Sequence, residues 1–219
     1  MALLTFGEIK DMALDLADVT GDPHIDSQML VKHANFCFAE LHALVVGADE
    51  RYLVKTANFI PVSGQREYAL PADFYKSIKI WYNGSDGNRH PMRHMPLDQI
   101  DSSNYSLNRR YTIIGQALVL SKDMTETVEM RYVPKFLPMA NDSDVCNIAI
   151  PEDWLYYVVL KLARYVRQRS DLDTVELTAD LQAQRTMIQN IAEDRDTGEA
   201  DSQTDVYGRQ RRSRWWSCY

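Results

Sequence analysis

The spacing of apolar residues changes twice along this chain, from a period near 3.6 to a period of about 2 and back, and this constrains the fold more than any other feature. Helical segments at both ends with strands between them call for an α+β architecture. The first helix is predicted from Thr5 to Asp18, with Thr5 and Glu8 at the spacing of a capping box. Phe6, Ile9, Ala13 and Leu16 form its expected buried stripe, and Glu8, Asp11, Asp15 and Asp18 form a second, acidic one. After Gly21-Asp22-Pro23, a second helix is predicted from Ile25 to Val46, burying Leu30, Ala34, Cys37, Leu41, Leu44 and Val45 and stopped by Gly47.

From Tyr52 the β-type period takes over. Strands are predicted over Val54 to Val62, Glu67 to Leu70, Tyr75 to Tyr82 and His90 to His94, with a turn or brief helix from Pro96 to Asp101. Asn83-Gly84 and Asp86-Gly87 are hairpin signals, and Gly115-Gln116 joins Tyr111–Ile114 to Leu118–Ser121 as a tight hairpin. With Thr127 to Val133 these make one antiparallel sheet. Pro151-Glu152-Asp153 then opens a third helix with the stripe Trp154, Leu155, Val158, Leu162 and Val166. A fourth runs from Leu172 to Glu193 on Leu177, Leu181, Ile188 and Ile191.

The expected organisation is a bundle of four helices with an inserted antiparallel β region and an extended C-terminal tail. Residues 1–50 supply the N-terminal helices, 51–149 the insertion and 150–193 the C-terminal helices. Residues 194–205 form an acidic linker without apolar periodicity, and 206–219 a basic, aromatic tail.

Charge divides along the same lines. The net charge is −7, and the tail holds four arginines and no carboxylate, so the rest of the chain stands at −11. An acidic body argues against a duplex-binding surface, because such surfaces neutralise phosphates with Lys and Arg. Cys37, Cys146 and Cys218 are odd in number and widely spaced, which predicts free thiols in a reducing compartment. The first residues lack a basic segment, and no apolar run approaches the roughly 20 residues of a membrane span, so synthesis in the cytosol and no membrane partner are expected.

Catalytic motifs are absent: no Gly-rich phosphate loop, no His-Glu-x-x-His, no Gly-x-Ser-x-Gly and no cysteine pair. His90 and His94 have the spacing of zinc ligands, but zinc needs three or four convergent donors and no third lies near in sequence. His24, His33 and His42 are nine residues apart, a turn of about 900° on a helix, so successive members face opposite sides. Neither set predicts a metal site, and no cofactor is expected. The acidic stripe of the first helix has two readings, a solvated helix face or a charge wall turned toward another polyanion.

Five stretches in order carry a resemblance. Phe36-Cys37-Phe38-Ala39-Glu40-Leu41 closes the long helix, and Gly64-Gln65-Arg66-Glu67-Tyr68-Ala69-Leu70-Pro71-Ala72-Asp73-Phe74 follows a strand. Tyr111-Thr112-Ile113-Ile114-Gly115-Gln116-Ala117-Leu118 is a hairpin, Arg131-Tyr132-Val133-Pro134 ends the strands, and Ile150-Pro151-Glu152-Asp153-Trp154 opens a helix. In that order the chain resembles the head-to-tail adaptor proteins of tailed bacteriophages, the connector or tail-tubular type beneath the portal.

The resemblance implies a structural virion protein of the neck or tail rather than an enzyme. It implies a homo-oligomeric, twelvefold ring on the portal, a central channel through which DNA passes without specific binding, and a platform for tail proteins. It also implies a C-terminal extension reaching the portal. Arg and Trp dominate binding where a few buried anchors carry the energy. Trp215 and Trp216 are therefore expected to fill portal pockets, Arg209, Arg211, Arg212 and Arg214 to meet carboxylates, and Tyr207 and Tyr219 to flank them. Glu8, Asp11, Asp15 and Asp18 are the candidate channel lining, since a like charge lets DNA slide. The alternative is a nucleic-acid-binding protein whose basic aromatic arm contacts phosphates and stacks on bases.

Overall fold

Thr5 starts the first helix as its spacing from Glu8 predicts. The Thr5 hydroxyl accepts from Glu8 N at 3.3 Å and the Thr5 N–H donates to Glu8 Oε2 at 2.7 Å, opening α1 over Phe6–Ala17. The computed structural model describes residues 4–19, 25–97 and 109–193. The linker 194–205, the tail 206–219, His24 and most of the segment expected from Pro96 to Asp101 lie outside the described residues.

α1 buries Phe6, Ile9, Ala13 and Ala17, and Leu16 is only half-buried. From Ala13, a step of four keeps closer to the stripe than a step of three. Asp26 caps α2, Ser27–Ala48, by accepting from Gln28 N at 3.1 Å. Gly47 does not stop this helix. A helical glycine costs only about 1 kcal/mol, and the buried Leu41 and Val45 carry the helix on to Ala48. By length and mean hydropathy α2 would suffice to cross a membrane. Its face of Leu30, Ala34, Cys37, Phe38, Leu41 and Val45 is instead buried in the helical core.

Among the described residues, the middle of the chain forms two four-stranded sheets, not the single sheet expected. The strands are β1 (Lys55–Phe59), β2 (Glu67–Ala69), β3 (Phe74–Asn83), β4 (Arg89–Pro91), β5 (Arg93–His94), β6 (Arg110–Ile114), β7 (Ala117–Leu120) and β8 (Val128–Pro134). One sheet has the order β1-β8-β3-β4 and the other β2-β7-β6-β5, antiparallel except for the parallel pair β5 and β6. The turn residues at 63–65 and 71–73 pass the chain from one sheet to the other and back. Alternation reports which side of a strand is buried, not which sheet the strand joins.

A shared core fills the space between the sheets: Phe59, Tyr68, Ile80, Leu118, Leu120, Val128, Met130 and Tyr132. β8 is central in its sheet and alternates Val128, Met130 and Tyr132 into this core. Val133 then turns to the helical core.

α3, Glu152–Arg169, packs against α1, α2 and α4, Val175–Glu193. Three neighbours explain why Tyr157, Val159, Leu160 and Ala163 are buried beside the five expected stripe residues. α4 starts three residues later than expected, where the Asp173 carboxylate accepts from Val175 N at 3.0 Å. It buries Ala192 and leaves Ile191 exposed, another one-position offset of the stripe.

Candidate assembly surfaces

Glu8, Asp11, Asp15 and Asp18 are all exposed on one face of α1, with Met12 among them at 41% exposure. The helix is held at both ends. Phe6 N donates to Asp144 O at 2.8 Å and Gly7 N to Asp142 O at 2.9 Å, while Lys10 pairs with the Asp142 carboxylate. At the other end the Arg167 guanidinium donates to Ala17 O at 3.2 Å, placing a cation where the helix dipole is negative. Gly7 permits the close approach, since a Cβ there would stand 3.0 Å from Asp142 Cβ and 3.2 Å from its carbonyl oxygen.

Within the acidic face Glu8 also has a local task. Hydrogen bonds from the Thr5 N–H and hydroxyl hold its carboxyl below the ordinary range. The clamping loop is fixed in the same way: Asp144 accepts from Asn141 N at 2.9 Å and Ala140 N at 2.8 Å, and these bonds lower its pKa.

A second set of contacts joins helices to sheets. Asn35 and His42 on α2 both bond the backbone leaving β8, Asn35 to Met139 and His42 Nε2 to Pro134 O at 2.8 Å. Between them Phe38 stacks on Phe136 with ring centroids 5.5 Å apart. Burial pulls the His42 pKa below its ordinary value despite the Pro134 carbonyl.

On the sheet side, Asp73 accepts from the Tyr132 hydroxyl at 2.8 Å and from Lys55 Nζ at 2.9 Å. Burial opposes ionisation of Asp73, but these two partners outweigh it and hold the carboxyl low. Burial, then the Asp73 carboxylate, pushes the Tyr132 hydroxyl up to about 12.

These contacts explain several of the quoted motif residues. Gly64 adopts φ +82 in the turn before β2, and Tyr68 closes that turn by donating to Gln65 O at 2.9 Å and accepting from Val62 N at 3.1 Å. Asp73 locks the joint, Gly115 takes φ +57 in the β6–β7 hairpin, and Trp154 is buried against Tyr52 at the start of α3.

The outer face of the first sheet is basic and aromatic. Lys79 and Arg131 lie over the Trp81 ring at 5.4 and 5.1 Å, and Arg89 pairs at 3.0 Å with the buried Glu129. Nearby, Arg109 covers the Tyr82 ring at 4.2 Å and pairs with Glu126. A cleft of about 320 Å³ is lined there by Tyr82, Pro91, Arg93, Arg109 and Arg110. Sequence reading missed this cluster. Its arginines come from separate strands, and the parallel register that sets Arg93 beside Arg110 leaves no local signal.

The histidines are separated. His90 binds Asp86 at 3.1 Å and stacks on Tyr82, His94 meets the edge of Tyr111, and His33 stacks on Tyr165. Asn88, through side chain and backbone, and His90 hold Asp86 down to about 2. Among the described residues no group of three His, Cys, Asp or Glu is disposed to hold a metal ion. Burial pushes the Cys37 thiol up to about 11, which keeps it protonated. The expected docking residues Tyr207, Arg209, Arg211, Arg212, Arg214, Trp215, Trp216 and Tyr219 lie outside the described residues.

The family model described as SU10 adaptor protein matches the chain over residues 4–214. No curated protein matches the chain.

Proposed function

The chain belongs to the SU10 adaptor protein family, a phage head-to-tail adaptor family, and from that premise we propose that it forms the ring joining portal to tail. The observation that carries this reading is the extent of the match, which runs through helices, strands, linker and the tail arginines as far as Arg214. The adaptor role is structural, and its place is the neck of the virion.

In this reading the ring is twelvefold, made by copies of this chain synthesised in the host cytoplasm. Residues 1–50 and 150–193 form its helical body, and residues 51–149 present the platform for tail proteins. The linker 194–205 tethers the tail 206–219, whose Trp215 and Trp216 fill portal pockets while Arg209, Arg211, Arg212 and Arg214 pair with portal carboxylates. Tyr207 and Tyr219 flank these anchors. A tethered anchor repeated around a ring converts weak contacts into a durable joint.

Glu8, Asp11, Asp15 and Asp18 line the channel in this reading and repel the passing DNA. Support comes from their common exposure on a helix clamped at both ends. The test is to mix purified protein with portal rings and score the joined complex with and without residues 206–219. Joining by the full chain and failure of the truncated one is expected. Equal joining by both sinks the tail's role, and steep salt-sensitive DNA binding by the tail supports a nucleic-acid arm instead.

A further inference from the structure

α2 and α4 each carry more apolar surface than the core of one chain uses. α2 is long and apolar enough to cross a membrane, yet only 39% of its most apolar stretch is buried against the described residues. The surplus has a pattern. Met29, Phe36 and Ala43 recur every seven residues, and Lys32, Ala39 and Val46 follow each by three, which is the spacing of a helix-packing seam. Five of these six residues are apolar, and all but the half-buried Val46 are exposed, Phe36 to 71%.

α4 buries the narrow stripe Leu177, Leu181, Ile188 and Ala192 and has a second apolar row. Val175, Ala179, Ala183, Met187 and Ile191 stand in steps of four, one of the ridges along which helices interlock, and all five are exposed. Arg185 and Gln189 face the α2 of their own chain across a cleft of about 330 Å³ that Glu40, Ala43 and Gly47 also line. Met187 is two positions from each of them and projects about 160° away from both. The ridge at Met187 is therefore turned from its own α2, so that seam and ridge can meet only between copies. Head-to-tail contacts of this kind generate rings.

We propose that the α2 seam of each copy packs against the α4 ridge of its neighbour, with Phe36 as the anchor. The contact rests on the ring reading above and names its subunit joint.

Size and charge both fit. Ala179 and Ala183 leave a hollow in the middle of the ridge for the Phe36 ring, and the cleft beside Ala43 has room for a side chain such as Met187. An aromatic side chain at the centre of a patch commonly dominates its binding. The seam carries Lys32, and Lys161 borders it through its ion pair with Glu40, one turn beyond Phe36. The exposed Glu176 and Asp180 border the ridge. Basic flanks on one surface and acidic flanks on the other favour pairing of unlike surfaces over two copies of the same one.

The test puts p-benzoylphenylalanine in place of Phe36 in the full chain and mixes isotope-labelled with unlabelled copies. Mass spectrometry then identifies the peptide that light attaches to position 36, in concentrated protein and on portal rings. A peptide from residues 175–193 of a different copy is expected, and Ala183→Glu should abolish it. Phe36→Asp should abolish joining to portal rings and Phe36→Leu should keep it, both with the urea midpoint unmoved because the side chain is exposed. Attachment instead to α2 of another copy, to the portal chain, to residues 194–219 or to nothing overturns the contact, as does normal joining by Phe36→Asp. Portal rings that join with any of those results leave the portal reading standing. Attachment to α4 of another copy in a chain that never joins portal rings removes that reading and keeps the contact.

Discussion

Asn35 and Met139 are joined by two hydrogen bonds, the Asn35 amide donating to the Met139 carbonyl at 2.8 Å and its oxygen accepting from the Met139 N–H at 2.9 Å. One side chain thus replaces a strand neighbour for the segment leaving β8. Asn35→Leu leaves both backbone groups without that partner and should cost about 1–3 kcal/mol in urea unfolding. Asn35→Asp keeps only the acceptor and should fall between.

Gly7 makes room for the clamp on α1. Its Cβ position meets Asp142 at 3.0 Å, and the Asp142 loop is fixed by bonds to Asp144, so it has little freedom to withdraw. Gly7→Ala should therefore destabilise by roughly 1 kcal/mol or more in spite of alanine's better helix propensity. A thermal midpoint at or above the parent's would contradict this.

Protonation should loosen the joint between helices and sheets. The folded-state pKa of His42 lies below its unfolded value, first because of burial. The unfolded state therefore binds more protons as the pH falls, and stability that is full above about pH 6.5 declines toward the folded pKa. His33 shifts the same way through burial and the Lys161 charge, so both contribute. Carboxylates held low, such as Asp73 and Asp144, add their losses only near pH 4 and below. Urea midpoints between pH 7.5 and 5.5 should fall, and His42→Gln should flatten the slope.

Charge on α1 is exposed and should be dispensable for folding. Asp11→Asn should change stability by less than about 0.5 kcal/mol, because surface substitutions away from caps rarely do more. Glu8 is left intact for its capping role. If this face borders the DNA path, reversal to lysine should slow genome release from assembled particles, measured as the rate of DNA ejection. An unchanged rate removes the channel-lining reading.

Trp215→Ala and Trp216→Ala should each weaken joining to portal rings by on the order of 2 kcal/mol without moving the unfolding midpoint. Equilibrium binding to immobilised portal rings checks the first part, and urea unfolding the second.

The helices were legible in sequence because their cues are local. Thr5 with Glu8, Pro151 with its acidic neighbours, and stripes of Leu and Val carry their own period. The errors at Leu16 and Ile191 are single-position shifts of a stripe, which period alone does not resolve. The division into two sheets was not legible, because β3 and β8 meet across about fifty residues and nothing local to either strand names its partner. The arginine cleft shares that cause, since it exists only once β5 has paired with β6. Of the candidate surfaces, the acidic face was legible because its carboxylates lie on one helix. The joint at Asn35, His42 and Asp73 was not, because each of those side chains binds a distant part of the chain.

The clamp on α1 also sets a time for it. Lys10 and Asp142 are separated by 132 residues, and α3, which covers the apolar face of α1, comes later still. At a synthesis rate of about 5–20 residues per second, α1 emerges on the order of ten seconds before its docking surface exists. A twelve-residue helix is marginal in water on its own. An element made well before its docking surface is thus among the last to settle, and in the interval the Thr5–Glu8 cap is a local restraint that favours its helical form.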